Sequence, residues 1–202
     1  MKLTYSRWLR VVWEADLAER LKRSLKPLRP ITPSKGEGWA AVAAILRRGR
    51  AGIEALFIKR RERPEDPWSG QVAFPGGGFA KDDGNTLNSV TREVEEEVGL
   101  RLGVDAEAVG MLNIASPLNR PQLKVAPYVA LLKREVKLNP GVEVDRTFWA
   151  PLAELREDVV EVNVKGERLK VKAYRYGGEV IWGMTARLVE ELIKALGGSL
   201  NL

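Results

Sequence analysis

Eight consecutive residues, Arg92 to Gly99, constrain this chain more than any other stretch. They read Arg-Glu-Val-Glu-Glu-Glu-Val-Gly. On a helix, Glu93, Glu96 and Glu97 stand at i, i+3 and i+4, so their carboxylates share one face. Such a face repels itself, at roughly 0.2–0.5 kcal/mol per like-charged pair. Acids in a last turn also meet the negative end of the helix dipole. The helix therefore needs compensation from outside, and a hard divalent cation with oxygen ligands is the candidate. Leu87, Val90, Val94 and Val98 form an apolar stripe, Asp83 or Asn85 a cap, and Gly99 a C-terminal stop, which predicts a helix over 85–98. Just before it, Gly76, Gly77 and Gly78 let backbone approach a ligand or metal closely.

The rest of the chain frames this stretch. Two apolar runs, WAAVAAIL (39–46) and IEALFIKR (53–60), flank an Arg-Gly-rich turn and read as a strand hairpin. QVAFPGG reads as a short strand entering the glycine turn. Further strands are expected at 109–114, 124–132 and 142–149, and a hairpin over 161–174 turning at Lys165-Gly166. The segment 182–196 reads as a closing helix. Strands on both sides of a central helix, with a second helix last, predict an α/β sandwich around a mixed sheet.

Residues 5–25 read as a further helix with two apolar lines: Trp8, Val11, Val12 and Ala15, and Leu9, Trp13, Leu17, Leu21 and Leu25. Pro27, Pro30 and Pro33 end it and form a stiff linker. Residues 1–36 are thus expected to be a helical extension and 37–202 the main domain. The extension either packs on its own domain or serves as a homodimer contact.

Composition narrows the chemistry. The chain has no His and no Cys, which excludes a thiol nucleophile, a His base and nearly every zinc site. Acid-base and metal work falls to Asp, Glu, Lys and Tyr. Metal-assisted hydrolysis of a phosphate ester or anhydride is the reaction class that fits three carboxylates beside a glycine turn. The net charge of +6 suits anionic partners. No apolar run approaches the length of a membrane span and no signal-peptide core is present, so the expectation is an intracellular, cytoplasmic protein with no membrane partner. Scarce Gln beside abundant Glu, Lys and Arg leans towards a thermophilic source.

The stretch 70–100 resembles the signature of the Nudix hydrolases: a glycine turn, a short loop, then Arg-Glu-apolar-x-Glu-Glu-x-Gly-apolar. Arg92 to Leu100 matches its second half in full. The first half departs. The loop is one residue longer than the commonest form, so the usual loop Glu falls on Asp83 or Gly84 depending on the direction of counting, and Asp83 is the candidate in its place. A narrower resemblance is to the coenzyme A pyrophosphatase branch, which carries the same insertion. It rests on Arg61, Gly70-Gln71-Val72-Ala73-Phe74-Pro75-Gly76-Gly77, Val125-Ala126-Pro127 and Trp182-Gly183-Met184-Thr185-Ala186. Where branch members often have His shortly before Gly-Gln, this chain has Trp68.

The resemblance implies a Nudix-type α/β/α sandwich. It implies Mg²⁺ or Mn²⁺ held by Glu93, Glu96, Glu97 and the Gly77 carbonyl, with Arg92 orienting Glu93, which acts as ligand or base. Arg61, Gly76, Gly77, Gly78 and Trp68 are candidates for substrate binding, and Glu143 is a further base candidate. The implied reaction cleaves a diphosphate in a nucleoside diphosphate derivative, coenzyme A or a relative of it first, with ADP-ribose or another nucleotide-sugar as runner-up. A small-molecule nucleotide is the expected partner, ahead of nucleic acid. The alternative of another class is a non-catalytic module that holds nucleotide or RNA.

Overall fold

The computed structural model describes residues 5–164 and 166–197, with side chains from residue 15 onward. Its main sheet grows from a hairpin that splays open. β1 (Trp39–Gly49) and β2 (Gly52–Arg60) pair only near their turn, from Leu46↔Ala55 to Gly49↔Gly52. Beyond that they diverge, and two short strands fill the wedge. β3 (Val72–Ala73) pairs with Lys59 and Ile58 of β2, and β4 (Gly76–Gly78) pairs with Ala40 to Val42 of β1. The glycine turn is therefore built into the sheet.

The sheet extends on both sides of this wedge. β6 (Lys124–Leu132) runs parallel to β1, and β5 (Ala106–Met111) runs antiparallel to β6. β7 (Val144–Pro151) lies antiparallel on the other edge of β2. Among these seven strands only β1 and β6 are parallel, so the sheet is mixed. A second, antiparallel sheet has the order β10-β9-β8, from β8 (Arg156–Val164), β9 (Glu167–Tyr176) and β10 (Glu179–Trp182).

β1 is almost uniformly apolar because both its faces are covered. Ala41, Ala43 and Ile45 face α2 (Thr86–Val98) and pack with its Val90, Val94 and Val98. The alternate residues Val42, Ala44 and Leu46 face the other way. There they meet α1 (Tyr5–Ser24) through Leu17 and Leu21, and α3 (Gly183–Ala195) through Leu188, Val189 and Leu192. This is an α/β sandwich around a mixed sheet, as the order of elements predicts.

The N-terminal segment is tied to the same core. Leu17, Leu21 and Leu25 are buried, while Ala15 of the other apolar line is exposed. Trp8, Leu9, Val11, Val12 and Trp13 lie outside the residues whose side chains are described. After α1, Lys26 pairs with Met111 across a β-bridge. Ile31 and Thr86 exchange two hydrogen bonds, the Ile31 amide donating to Thr86 Oγ1 at 3.1 Å and the Thr86 amide to the Ile31 carbonyl at 2.8 Å.

Some boundaries differ from the sequence reading. The strand expected at 109–114 is β5, three residues earlier, because Ala106 and Glu107 pair with Leu132 and Leu131, and the chain leaves the sheet after Met111. The strand expected at 142–149 starts at Val144; Val142 is 76% exposed in the turn before it. The hairpin over 161–174 is the tip of the longer β8–β9 pair, and its turn residue Lys165 lies outside the described residues. Among the described residues no helix is long and apolar enough to cross a membrane.

Candidate active site

Local rules set the acidic helix first. Asn85 caps α2: its Oδ1 accepts the amides of Leu87 and Asn88, both at 3.0 Å. Gly99 ends it at φ 70°, with its amide bonded to the Glu95 carbonyl at 2.9 Å. With Val90, Val94 and Val98 against the sheet, the helical period of about 100° per residue decides where the acids fall. Glu97 and Glu93 flank the buried stripe and face β4, so Glu97 is buried and Glu93 half-buried. Glu96 sits further round, with its side chain 58% exposed.

The glycines meet these acids. The Gly76 amide donates to Glu97 Oε2 at 2.7 Å. Gly76 has φ 145°, and a Cβ there would lie 2.2 Å from the Ala41 carbonyl oxygen, so the position excludes every other residue. A Cβ on Gly77 would lie 2.4 Å from Glu93 Cδ, so the Glu93 carboxyl rests directly over the Gly77 backbone.

Arg92 is the hub that holds loop and helix together. Its Nε and Nη2 grip Asp83 in a fork, at 2.9 and 3.1 Å. Its Nη1 reaches Glu93 Oε1 at 2.9 Å and Glu96 Oε2 at 3.1 Å, and its Nη2 reaches the Gly78 carbonyl at 3.3 Å. Asp83 also accepts the Ala80 amide at 2.7 Å. Asp83 is thus tied to Arg92 and to its own loop, while the capping role falls to Asn85. Arg60 approaches from β2: it donates to Asp66 Oδ2 at 2.9 and 2.7 Å and lies 3.7 Å from Glu97 Oε1.

The electrostatics follow from burial. Burial pushes the Glu97 carboxyl up to about 7, against the pull of the Gly76 amide and Arg60. Burial also raises Glu93, although Arg92 pulls the other way. The Arg92 fork holds Asp83 below the usual carboxylate range. Among the described residues no three acids form a ready-made metal cage. Glu93 and Glu97 meet at the turn, whereas Glu96 is drawn to Arg92. The donor set still fits a hard cation: it is all oxygen, and it includes a carboxyl raised chiefly by burial, with Glu93 and Glu143 adding to that effect against the Gly76 amide and Arg60.

A cleft of about 980 Å³ opens beside the turn, enough for a dinucleotide-sized ligand. Glycines 76–78, Glu93, Glu97 and Glu143 line it, with Trp39 and Met184 on apolar wall. Trp68 lines it too; its indole Nε1 donates to Asn119 Oδ1 at 3.2 Å. Arg61 does not line it. That side chain is exposed, and its guanidinium donates to the Val144 carbonyl at 3.3 Å. The neighbouring Arg60 lines the cleft instead, and together with Asp66 it escaped the sequence reading. Asp66-Pro67 is a turn signal that pointed to an ordered loop there. Trp182, Gly183, Met184 and Thr185 both open α3 and line the cleft.

The family model described as NUDIX domain matches residues 38–169. The chain is 31% identical over 143 residues to the uncharacterized Nudix hydrolase NudL of Pectobacterium atrosepticum, covering 68% of this chain and 72% of that protein. It is 33% identical over 144 residues to the NudL protein of Photorhabdus laumondii, covering 68% and 74%. Among solved structures, a MutT/nudix family protein from Enterococcus faecalis superposes with a TM-score of 0.56 over 97% of this chain and 70% of that one. Its sequence identity is 15%, so the likeness is one of fold.

Proposed function

The chain belongs to the Nudix hydrolase family, and on that premise we propose that it hydrolyses the diphosphate linkage of a nucleoside diphosphate derivative, coenzyme A first. The observation that carries the proposal is the meeting of Glu93 and Glu97 with the Gly76–Gly78 turn on the wall of a large cleft. The coenzyme A choice is supported by the run Gly70 to Gly77 and by Trp182 to Ala186, which resemble that branch of the family.

Glu93 and Glu97 would hold Mg²⁺ or Mn²⁺, with the Gly77 carbonyl and with Glu96 once it turns from Arg92. When bound, such an ion neutralises charge on the diphosphate and makes water a better nucleophile. The protein's own groups do the rest. The Gly76 amide and Arg60 fix the Glu97 carboxylate. Arg92 fixes Glu93, which serves as ligand or as the base that takes a proton from the attacking water. Asp83 keeps Arg92 in place, and the absence of side chains at 76–78 leaves room for phosphoryl oxygens. Water adds to one phosphorus as its bond to the bridging oxygen breaks. For coenzyme A the products are phosphopantetheine and adenosine 3′,5′-bisphosphate.

The test is a panel of coenzyme A, ADP-ribose, NADH and diadenosine polyphosphates with Mg²⁺ and with Mn²⁺, products resolved by chromatography. Coenzyme A should give the highest kcat/KM. A preference for ADP-ribose would replace the substrate, and no turnover of any member would remove the catalytic reading.

A further inference from the structure

The charged lining of the cleft that must receive a polyanion is mostly acidic: Glu37, Glu93, Glu97 and Glu143. Its cationic lining consists of Arg60 and Arg120. Arg60 is already committed to Asp66 and Glu97. Arg120 differs, because among the described residues it has no carboxylate partner. It is nonetheless held in place. Its guanidinium carbon lies 5.6 Å from the centroid of the Trp68 ring, a cation–π distance. Trp68 is in turn pinned by its hydrogen bond to Asn119, the residue before Arg120. The backbone around Arg120 is closed by two turns: its amide bonds to the Pro117 carbonyl at 3.1 Å, and its carbonyl accepts the Leu123 amide at 3.0 Å.

A charged side chain that is exposed, unpaired and pre-ordered on a cleft wall has lost rotamer freedom without gaining an ionic partner. A bound anion supplies that partner, and a guanidinium fork matches phosphoryl oxygens. From this we infer that Arg120 binds a phosphoryl group of the substrate, and that Trp68 and Asn119 are positioning residues that present it. Trp68 thus acts first as the platform for Arg120. The inference rests on the pyrophosphatase reading only for the identity of the anion, which is either the scissile diphosphate or a peripheral phosphomonoester.

The test is Arg120→Gln, with Arg120→Lys beside it. Binding is measured by calorimetry in EDTA, and kcat and KM with Mg²⁺, for coenzyme A, 3′-dephospho-coenzyme A and ADP-ribose. Arg120→Gln should raise Kd and KM about 10- to 100-fold with little change in kcat, the loss expected for one charge-assisted contact. Arg120→Lys should recover part of it. A loss for coenzyme A alone assigns the peripheral phosphate, and a loss for all three assigns the diphosphate. Unchanged Kd and KM for all three in a variant that melts like the parent would overturn the inference. So would equal losses in both variants accompanied by a lowered Tm, since that marks Arg120 as structural only. If the parent cleaves ADP-ribose and ignores coenzyme A, the substrate reading falls, and the Arg120 comparison is decided with ADP-ribose.

Discussion

Glu97→Gln separates what the site costs the fold from what it does for catalysis. In the metal-free protein Glu97 is buried beside other acids, and its carboxyl is raised from 4.5 to about 7. A displacement of that size corresponds to about 3 kcal/mol of preference for the protonated form. The sign follows from proton binding. The folded state holds this proton more tightly than the unfolded state, so the associated stability is fully present below pH 4.5 and is lost as pH rises through about 7. Gln is neutral throughout and can still accept the Gly76 amide. In EDTA the two proteins should therefore be of similar stability near pH 5, and the variant should be more stable by about 1–3 kcal/mol near pH 8. Urea denaturation of both proteins across that range, followed by far-UV circular dichroism, measures the difference. Adding Mg²⁺ near pH 8 should stabilise the parent selectively, because an ion that binds only the folded state adds to its stability. Turnover in Mg²⁺ should be abolished in the variant. Parallel stability profiles for the two proteins in EDTA would refute the argument that Glu97 is a buried acid awaiting a cation.

Three more outcomes follow from particular contacts. Gly77→Ala should fold normally but lose at least about 100-fold in kcat, since its Cβ displaces only the flexible end of Glu93, whereas Gly76→Ala drives a Cβ into the Ala41 carbonyl and should cost about 3 kcal/mol or more; thermal melts and initial rates compare the two, and equal melts would contradict the geometry. Asp83→Ala frees the Arg92 fork, so it should lower kcat and cost about 1–2 kcal/mol of stability near neutral pH. Because Arg92 holds Asp83 below the ordinary carboxylate value of 3.8, that contribution should fade as pH falls through this range, and a pH series of melts for parent and variant checks it. A chain beginning at Gly36 loses Leu17, Leu21 and Leu25 from the core and should melt far lower or aggregate; an unchanged Tm by calorimetry would show that the segment is a detachable extension.

Much of the molecule was legible in order of residues. The stripe at 87, 90, 94 and 98, the stop at Gly99 and the apolar runs of β1, β2 and β6 follow from periodicity, because local chain geometry sets which side chains share a face. The absence of His and Cys leaves acid-base and metal chemistry to Asp, Glu, Lys and Tyr, and the spacing of Glu93, Glu96 and Glu97 marks the candidate site. Tertiary structure decided what spacing could not. The splayed β1–β2 hairpin opens a wedge, and only that wedge brings Gly76 to Glu97 and Gly77 to Glu93 across 21 and 16 positions of chain. The helix's rotation on the sheet, set by which valines are buried, turned Glu96 outward to Arg92 and made Asp83 the fork's partner. The choice of Arg60 over Arg61 for the cleft is made where β2 ends: Arg60 is its last residue, whereas Arg61 lies past it with its amide bonded to the Glu143 carbonyl. Arg120 carries no local signal at all, because its meaning lies in a contact between two loops separated by half a hundred residues. Sequence sets faces and chemistry through short-range geometry; long-range pairing alone sets which faces meet.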